Sequence, residues 1–247
     1  MKVSFVIPAY NEEKNIGKCV DSVLRAIKAS ACDAEVVVIN NASADRTAEI
    51  ASSRPGVRVV DEPRKGLLYA RQKGLEASTG ELLACVDADT LMSAHWIAVA
   101  LRAFSRSPRM VCLSGPYLYF DLSSATNVVV AVWYLLAMLS MHAIGQYVLR
   151  STAMLQGGNY IVRRTALEKI GGYNTSISFY GEDTDLACRL IRVGTVRFTP
   201  RLTIAASGRR IRKEGFVATG FHYATNGLAV ALRGKPVTRH HTDIRDA

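Results

Sequence analysis

The 247-residue chain is short of the residues that break or staple a fold, with 7 Pro and 5 Cys scattered at positions 19, 32, 85, 112 and 188, none in a C-x-x-C pair. The scarcity of proline, beside 49% hydrophobic and 21% charged residues, excludes a disordered or collagen-like chain. Five unpaired cysteines exclude a disulfide scaffold, argue against a cysteine-ligated zinc site and fit a reducing compartment. A secretory leader is not expected, because the apolar run at 3–7 is too short and Pro8 ends it. Internal repeats and low-complexity tracts are missing too. Length points to one domain over 1–215, with 216–247 as an amphipathic helix and polar tail that form no domain of their own.

Acidic residues are scarce towards the end. Residues 189–247 hold 12 Lys+Arg against 3 Asp+Glu, whereas 1–188 hold 19 against 18. Such local basicity calls for an anionic partner, a membrane surface or a phosphate. Nucleic acid is not expected, since no binding motif accompanies these charges and few aromatics interleave with 209–213.

What is present is an alternation of two periods. Short apolar runs at 3–7, 36–39, 57–60 and 82–86 are separated by helical patterns at 16–27, 45–53 and 67–77. This predicts an α/β fold with a mostly parallel central sheet and helices on both faces. Right-handed crossovers then put the strand C-termini along one edge, where open sheets bind ligands. The polar clusters fall there: Ala9-Tyr10-Asn11-Glu12, Asn40-Asn41-Ala42-Ser43 and Asp87-Ala88-Asp89. Beyond them the pattern predicts a helix over 94–104, a strand over 110–119, a Gly157-Gly158-Asn159 turn and a helix opened by Gly181-Glu182-Asp183. A last helix is expected over 216–232.

Two acidic clusters carry candidate chemistry. Asp87 and Asp89, just past a buried strand, suit Mg²⁺ or Mn²⁺ bridged to a diphosphate, or else cap the helix reached through Ser93. Glu182 and Asp183 at a helix start are favoured there by the helix dipole, or one faces a cleft as general base for an acceptor hydroxyl. Gly171, Gly172 and Gly181 would let that loop approach a ligand closely. Arg64, Lys65 and Arg71 face a diphosphate or are solvated.

The string Ile7-Pro8-Ala9-Tyr10-Asn11-Glu12 resembles the opening of the family 2 glycosyltransferases, which have the GT-A fold. So do Asn41-x-Ser43-x-Asp45, Gly66-x-x-x-Ala70-Arg71, Asp87-Ala88-Asp89 and Gly181-Glu182-Asp183, in matching order across about 1–195. The resemblance implies a Rossmann-like, metal-dependent, inverting transferase of a sugar from a nucleoside diphosphate. It implies Asp183 as catalytic base with Glu182 as a secondary acceptor-positioning group, and Asp87 and Asp89 as holders of Mn²⁺ or Mg²⁺. Pro8, Ala9, Tyr10, Asn11, Glu12, Asn40, Asn41, Arg71 and Asp87 would bind the nucleotide. Gly157, Gly158, Asn159, Arg209 and Arg210 would lie on the acceptor or diphosphate side.

Two departures bear on specificity. Asn40-Asn41 stands where the family usually has an acidic pair, so a uridine donor is favoured and guanosine stays open. Asn41 also reads as a cap or Asx turn. The Q-x-x-R-W segment of processive synthases is absent after Asp183, which favours single-sugar transfer over polymer synthesis. A non-catalytic nucleotide-sugar or glycan-binding module on the same fold is the alternative.

Residues 122–149 carry no charge. Asp87 and Asp89 precede this stretch and Asp183 follows it, so one crossing would part them, and two crossings need about 20 residues each. An apolar helical insertion that is core, re-entrant or interfacial is therefore expected, with Trp133, Tyr134, Tyr147 and Arg150 suited to an interface. Together with the basic 209–213 cluster, this suggests peripheral attachment to the cytoplasmic side of the inner membrane and a lipid or lipid-linked saccharide acceptor.

Overall fold

The computed structural model describes residues 1–144 and 154–238, so the expectations for Tyr147, Arg150 and the tail from 239 fall outside the described residues. Strand β1 (Val3–Ala9) is buried along its whole length. Parallel β2 (Ala34–Asn40) and β3 (Val57–Asp61) extend the sheet on one side of it, and parallel β4 (Leu82–Val86) on the other. Next to β4 comes β8 (Asn159–Arg163), then β6 (Met110–Ser114) and β9 (Thr195–Phe198). Among the described strands of this sheet, β8 alone runs against its neighbours.

Runs apolar on both faces need covering on both faces. Phe5 and Ile7 pack with α1 (Ile16–Ser30) and α4 (Trp96–Arg106), whose buried Ile16, Val20 and Val23 recur at helical spacing. Val6, Val37, Ile39 and Leu83 pack instead with α3 (Leu67–Ala77) and α7 (Glu182–Leu190). The fold class read from the sequence is the one observed.

The single strand expected over 110–119 is two. The chain leaves the main sheet at Gly115-Pro116 and forms β7 (Tyr117–Tyr119), which joins β10 (Ile204–Ala206) and β5 (Thr90–Leu91) in a small second sheet. Pro116 has no N–H for a ladder, and Gly115 lies so near the Leu202 carbonyl that a Cβ would not fit. This sheet brings the basic C-terminal segment beside the end of β4. There α8 (Arg209–Glu214) follows, and α9 (Phe216–Arg233) packs along α7. The uncharged stretch forms α5 (Ser124–Ile144). Among the described residues no helix is long and apolar enough to cross a membrane.

Candidate active site

The C-terminal ends of β1, β2 and β4 open on one cavity of about 1320 Å³. Pro8, Ala9, Tyr10 and Glu12 line it from the end of β1, and Asn41 from the end of β2. Asp87 and Asp89 follow β4, and Asp183 reaches the same space from α7. Arg209 and Arg210 of α8 complete the polar end.

Asp87 and Asp89 cap no helix. The start of α4 has no side-chain cap, and Thr90 instead closes a tight turn by donating its N–H and hydroxyl to the Asp87 carbonyl at 3.1 and 2.8 Å. Oδ2 of Asp87 accepts the Tyr117 hydroxyl at 2.9 Å, and Oδ1 lies 3.6 Å from the Arg71 guanidinium. Oδ2 of Asp89 lies 3.1 Å from Nε of Arg209. Burial pushes Asp89 up to about 7 against the pull of Arg209, with Glu12 and Asp87 adding like charge. Asp87 and Asp89, both lining the cavity, are the carboxylate oxygen donors that would hold a hard divalent cation. Among the described residues, no three His, Cys, Asp or Glu side chains converge into a protein-only cage.

Arg71 lies behind these acids rather than in the cavity, and is 1% exposed. Its Nη1 is 2.6 Å from Oε2 of Glu182, and its Nη2 donates to the Gly157 carbonyl at 2.5 Å. Against the cost of burial, Glu182 above all holds the guanidinium charged, with Asp87 adding a smaller pull. Burial pushes Glu182 up to about 7, opposed by Arg71. Arg71 is thus a brace joining the acidic start of α7 to the end of β4. Glycine is needed where this brace meets the 157–158 turn: a Cβ on Gly157 would meet Glu182, and one on Gly158 would meet Asp87 and the Tyr117 hydroxyl.

Asp183 is half-buried and faces the cavity. One carboxylate oxygen accepts the Thr184 N–H at 2.7 Å in the first turn of α7. Burial raises its carboxyl, and the Thr184 hydrogen bond offsets part of that rise.

Several residues expected to touch a ligand serve the scaffold. Asn159 is fully buried: its Oδ1 accepts Trp96 Nε1 at 2.8 Å, and its Nδ2 donates to the carbonyls of Gly115 and Leu202 at 2.9 and 2.7 Å. An amide so engaged has nothing left for an acceptor. Gly157 and Gly158 give room to the acids and do not line the cavity, and Glu182 is turned to Arg71 rather than to an acceptor. Asn11, at a left-handed φ of 50°, accepts the Ala44 N–H at 2.9 Å, and Asn40 donates to Asp61 at 2.7 Å. Asn41 touches the cavity, but its amide clamps the 62–66 loop, donating to the Arg64 carbonyl at 2.7 Å and accepting the Gly66 N–H at 2.8 Å. Neither the cap nor the Asx-turn reading is realised, because both partners belong to a loop remote in sequence and α3 has no side-chain cap. Arg64 pairs with Glu62, while Lys65 lines the cavity against Tyr10. Gly171 and Gly172 form a left-handed turn that does not line it.

Tyr117 was not expected at the site. The break in pattern at Gly115-Pro116 was the available signal, since it marks a chain leaving the main sheet.

The model of the family described as Glycosyl transferase family 2 matches residues 4–171. The uncharacterized glycosyltransferase EpsJ of Bacillus subtilis is 35% identical over 95 residues, 37% of this chain and 27% of EpsJ. The dolichyl-phosphate beta-glucosyltransferase ALG5C of Trichomonas vaginalis is 36% identical over 96 residues, 35% of this chain and 28% of that protein. The matched segment thus spans about a quarter of the length of these relatives. Among solved structures, the mannosyltransferase PcManGT of Pyrobaculum calidifontis, in complex with GDP-Man and Mn²⁺, superposes with a TM-score of 0.68 at 21% identity, covering 94% of this chain and 64% of its own. Glucosyl-3-phosphoglycerate synthase of Mycobacterium tuberculosis, with Mn²⁺ and UDP-glucose, gives 0.61 at 21% identity, covering 96% and 81%. At these identities the likeness is one of fold.

Proposed function

Because the chain belongs to glycosyl transferase family 2, we propose that it moves a single sugar from a nucleoside-diphosphate sugar, a UDP-sugar favoured, to an acceptor hydroxyl with inversion. The observation that carries this is the presence of Asp87, Asp89 and Asp183 on one cavity at the ligand edge of the sheet. Asp183 is the base: it takes the acceptor proton as the oxygen attacks the anomeric carbon, and the diphosphate leaves from the opposite face. Asp87 and Asp89 hold Mn²⁺ or Mg²⁺, which when bound supplies Lewis-acid charge at the departing diphosphate. Pro8, Ala9 and Tyr10 receive the nucleotide, and Arg209 and Arg210 face its diphosphate or the acceptor. One fold neighbour carries GDP-Man and another UDP-glucose, so the nucleobase rests with this chain's own pocket.

The far end of the cavity supports a lipid or lipid-linked saccharide acceptor. Val130, Trp133 and Leu136 of α5 and Phe216, Leu228 and Ala231 of α9 wall it. The outer sides of these helices are apolar as well, with Val129, Val132, Leu135, Val217 and Phe221 exposed. An exposed apolar face beside a basic segment suits peripheral attachment to an anionic membrane surface, on the cytoplasmic side of the inner membrane.

A panel of UDP- and GDP-sugars with Mn²⁺ or Mg²⁺, read by nucleotide release, tests the assignment. Asp183→Asn should lose transfer by roughly a hundredfold or more while keeping UDP binding. Nucleotide binding without transfer from any donor, unchanged in Asp183→Asn, would make the chain a non-catalytic binding module instead.

A further inference from the structure

Arg209 is built into the donor end of the cavity. Its Nε lies 3.1 Å from Oδ2 of Asp89, its Nη1 donates to Oε2 of Glu12 at 3.1 Å, and its Nη2 donates to Oε1 of Glu12. Glu12 is 4% exposed and fixed in turn, donating its N–H to the Thr47 hydroxyl at 2.7 Å and accepting Asn15 Nδ2 at 2.9 Å. One guanidinium therefore neutralises two acids, and one of them is Asp89. The arginine behind Asp87 is sealed, with 1% of the Arg71 side chain exposed, whereas Arg209 keeps 24% and lines the cavity. Arg209 also opens α8, whose next two residues, Arg210 and Ile211, line the cavity as well.

We propose that Arg209 is an internal counter-ion for Asp89: it competes with the divalent cation for that carboxylate and passes to the donor diphosphate when the cation takes its place. This deepens the reading above and rests on it, since Asp89 must be a cation ligand. A guanidinium and a divalent cation on one carboxylate repel each other, so each weakens the other's hold on it. Glu12 holds the guanidinium at the site in either arrangement, so the exchange needs a small swing and no refolding.

The test titrates Mn²⁺ into the full chain without nucleotide, reading free Mn²⁺ by electron paramagnetic resonance, and titrates UDP at saturating Mn²⁺ by calorimetry. In Arg209→Met, Mn²⁺ binding should tighten roughly tenfold, because a charge in contact with Asp89 is gone and Glu12 is left facing it. UDP binding with Mn²⁺ in place should weaken about fivefold, because a charged donor to the diphosphate is lost. A residue that merely braced the fold would weaken both, so the opposed signs are the signature. Arg209→Gln, which retains a donor for Glu12, should give the same signs if the methionine variant does not fold. Asp89→Asn checks the premise: unchanged Mn²⁺ binding there would mean Asp89 is no ligand, and both readings fall. If Asp89→Asn loses Mn²⁺ but neither Arg209 variant binds it more tightly, the counter-ion proposal alone is overturned.

Discussion

Burial pushes the Glu182 and Asp89 carboxyls up to about 7, against the pull of Arg71 and Arg209. Their ordinary values are 4.5 and 3.8, so each binds a proton more tightly folded than unfolded. Folding then takes up protons between those values and 7, and stability falls as pH rises through that window. Glu62, which the Arg64 guanidinium holds at about 2, acts with the opposite sign, losing its contribution only as pH falls below its ordinary 4.5. Thermal unfolding in chelator should therefore show Tm falling from pH 5 to 7.5, with Glu182→Gln flattening the slope. A Tm that rises over that range would mean both carboxyls are charged throughout. The acids themselves were legible in the sequence, Asp89 just past a strand end and Glu182 at a helix start. Their partners were not, because the sequence offers Arg71 and Arg209 as diphosphate-facing or solvated cations, and only the fold places them against carboxylates.

Strand β8 shows how an element can be legible in kind but not in role. The run at 160–162 reads as a buried strand whichever way it points, and only its pairing with β4 and β6 shows that it runs antiparallel to both. Its first residue, Asn159, ties α4, the Gly115-Pro116 switch and the Leu202 carbonyl together. Asn159→Ala would strand the Trp96 N–H and those carbonyls inside the protein, at about 2–4 kcal/mol for several buried groups left unsatisfied. Urea unfolding should show that loss, and a change below about 1 kcal/mol would mean the amide is dispensable. From sequence, Asn159 next to two glycines looked like a loop residue facing a ligand. Only the crossing of two sheets at that point makes it a clamp.

At the scale of the whole molecule, the apolar faces of α5 and α9 and the basic last quarter predict binding to vesicles. The chain should sediment with phosphatidylserine-containing vesicles at low salt and lose that binding as salt rises, since each surface Lys or Arg contributes about 1 kcal/mol near an anionic surface. Phe221→Asp, on an exposed turn of α9, should weaken binding at least tenfold without changing UDP affinity. A chain that ignores such vesicles at low salt would assign those faces to a protein contact instead. The alternating periods of 2 and 3.6, and the polar residues ending each apolar run, were determined by sequence alone, because they depend on neighbours along the chain. Tertiary structure alone decided that the last quarter returns through a second sheet to lay Arg209 on Asp89, and that α5 and α9 extend the cavity with apolar walls. Those contacts join segments far apart in the chain, and they follow from where the strand edges meet and from which charges must be matched once water is excluded.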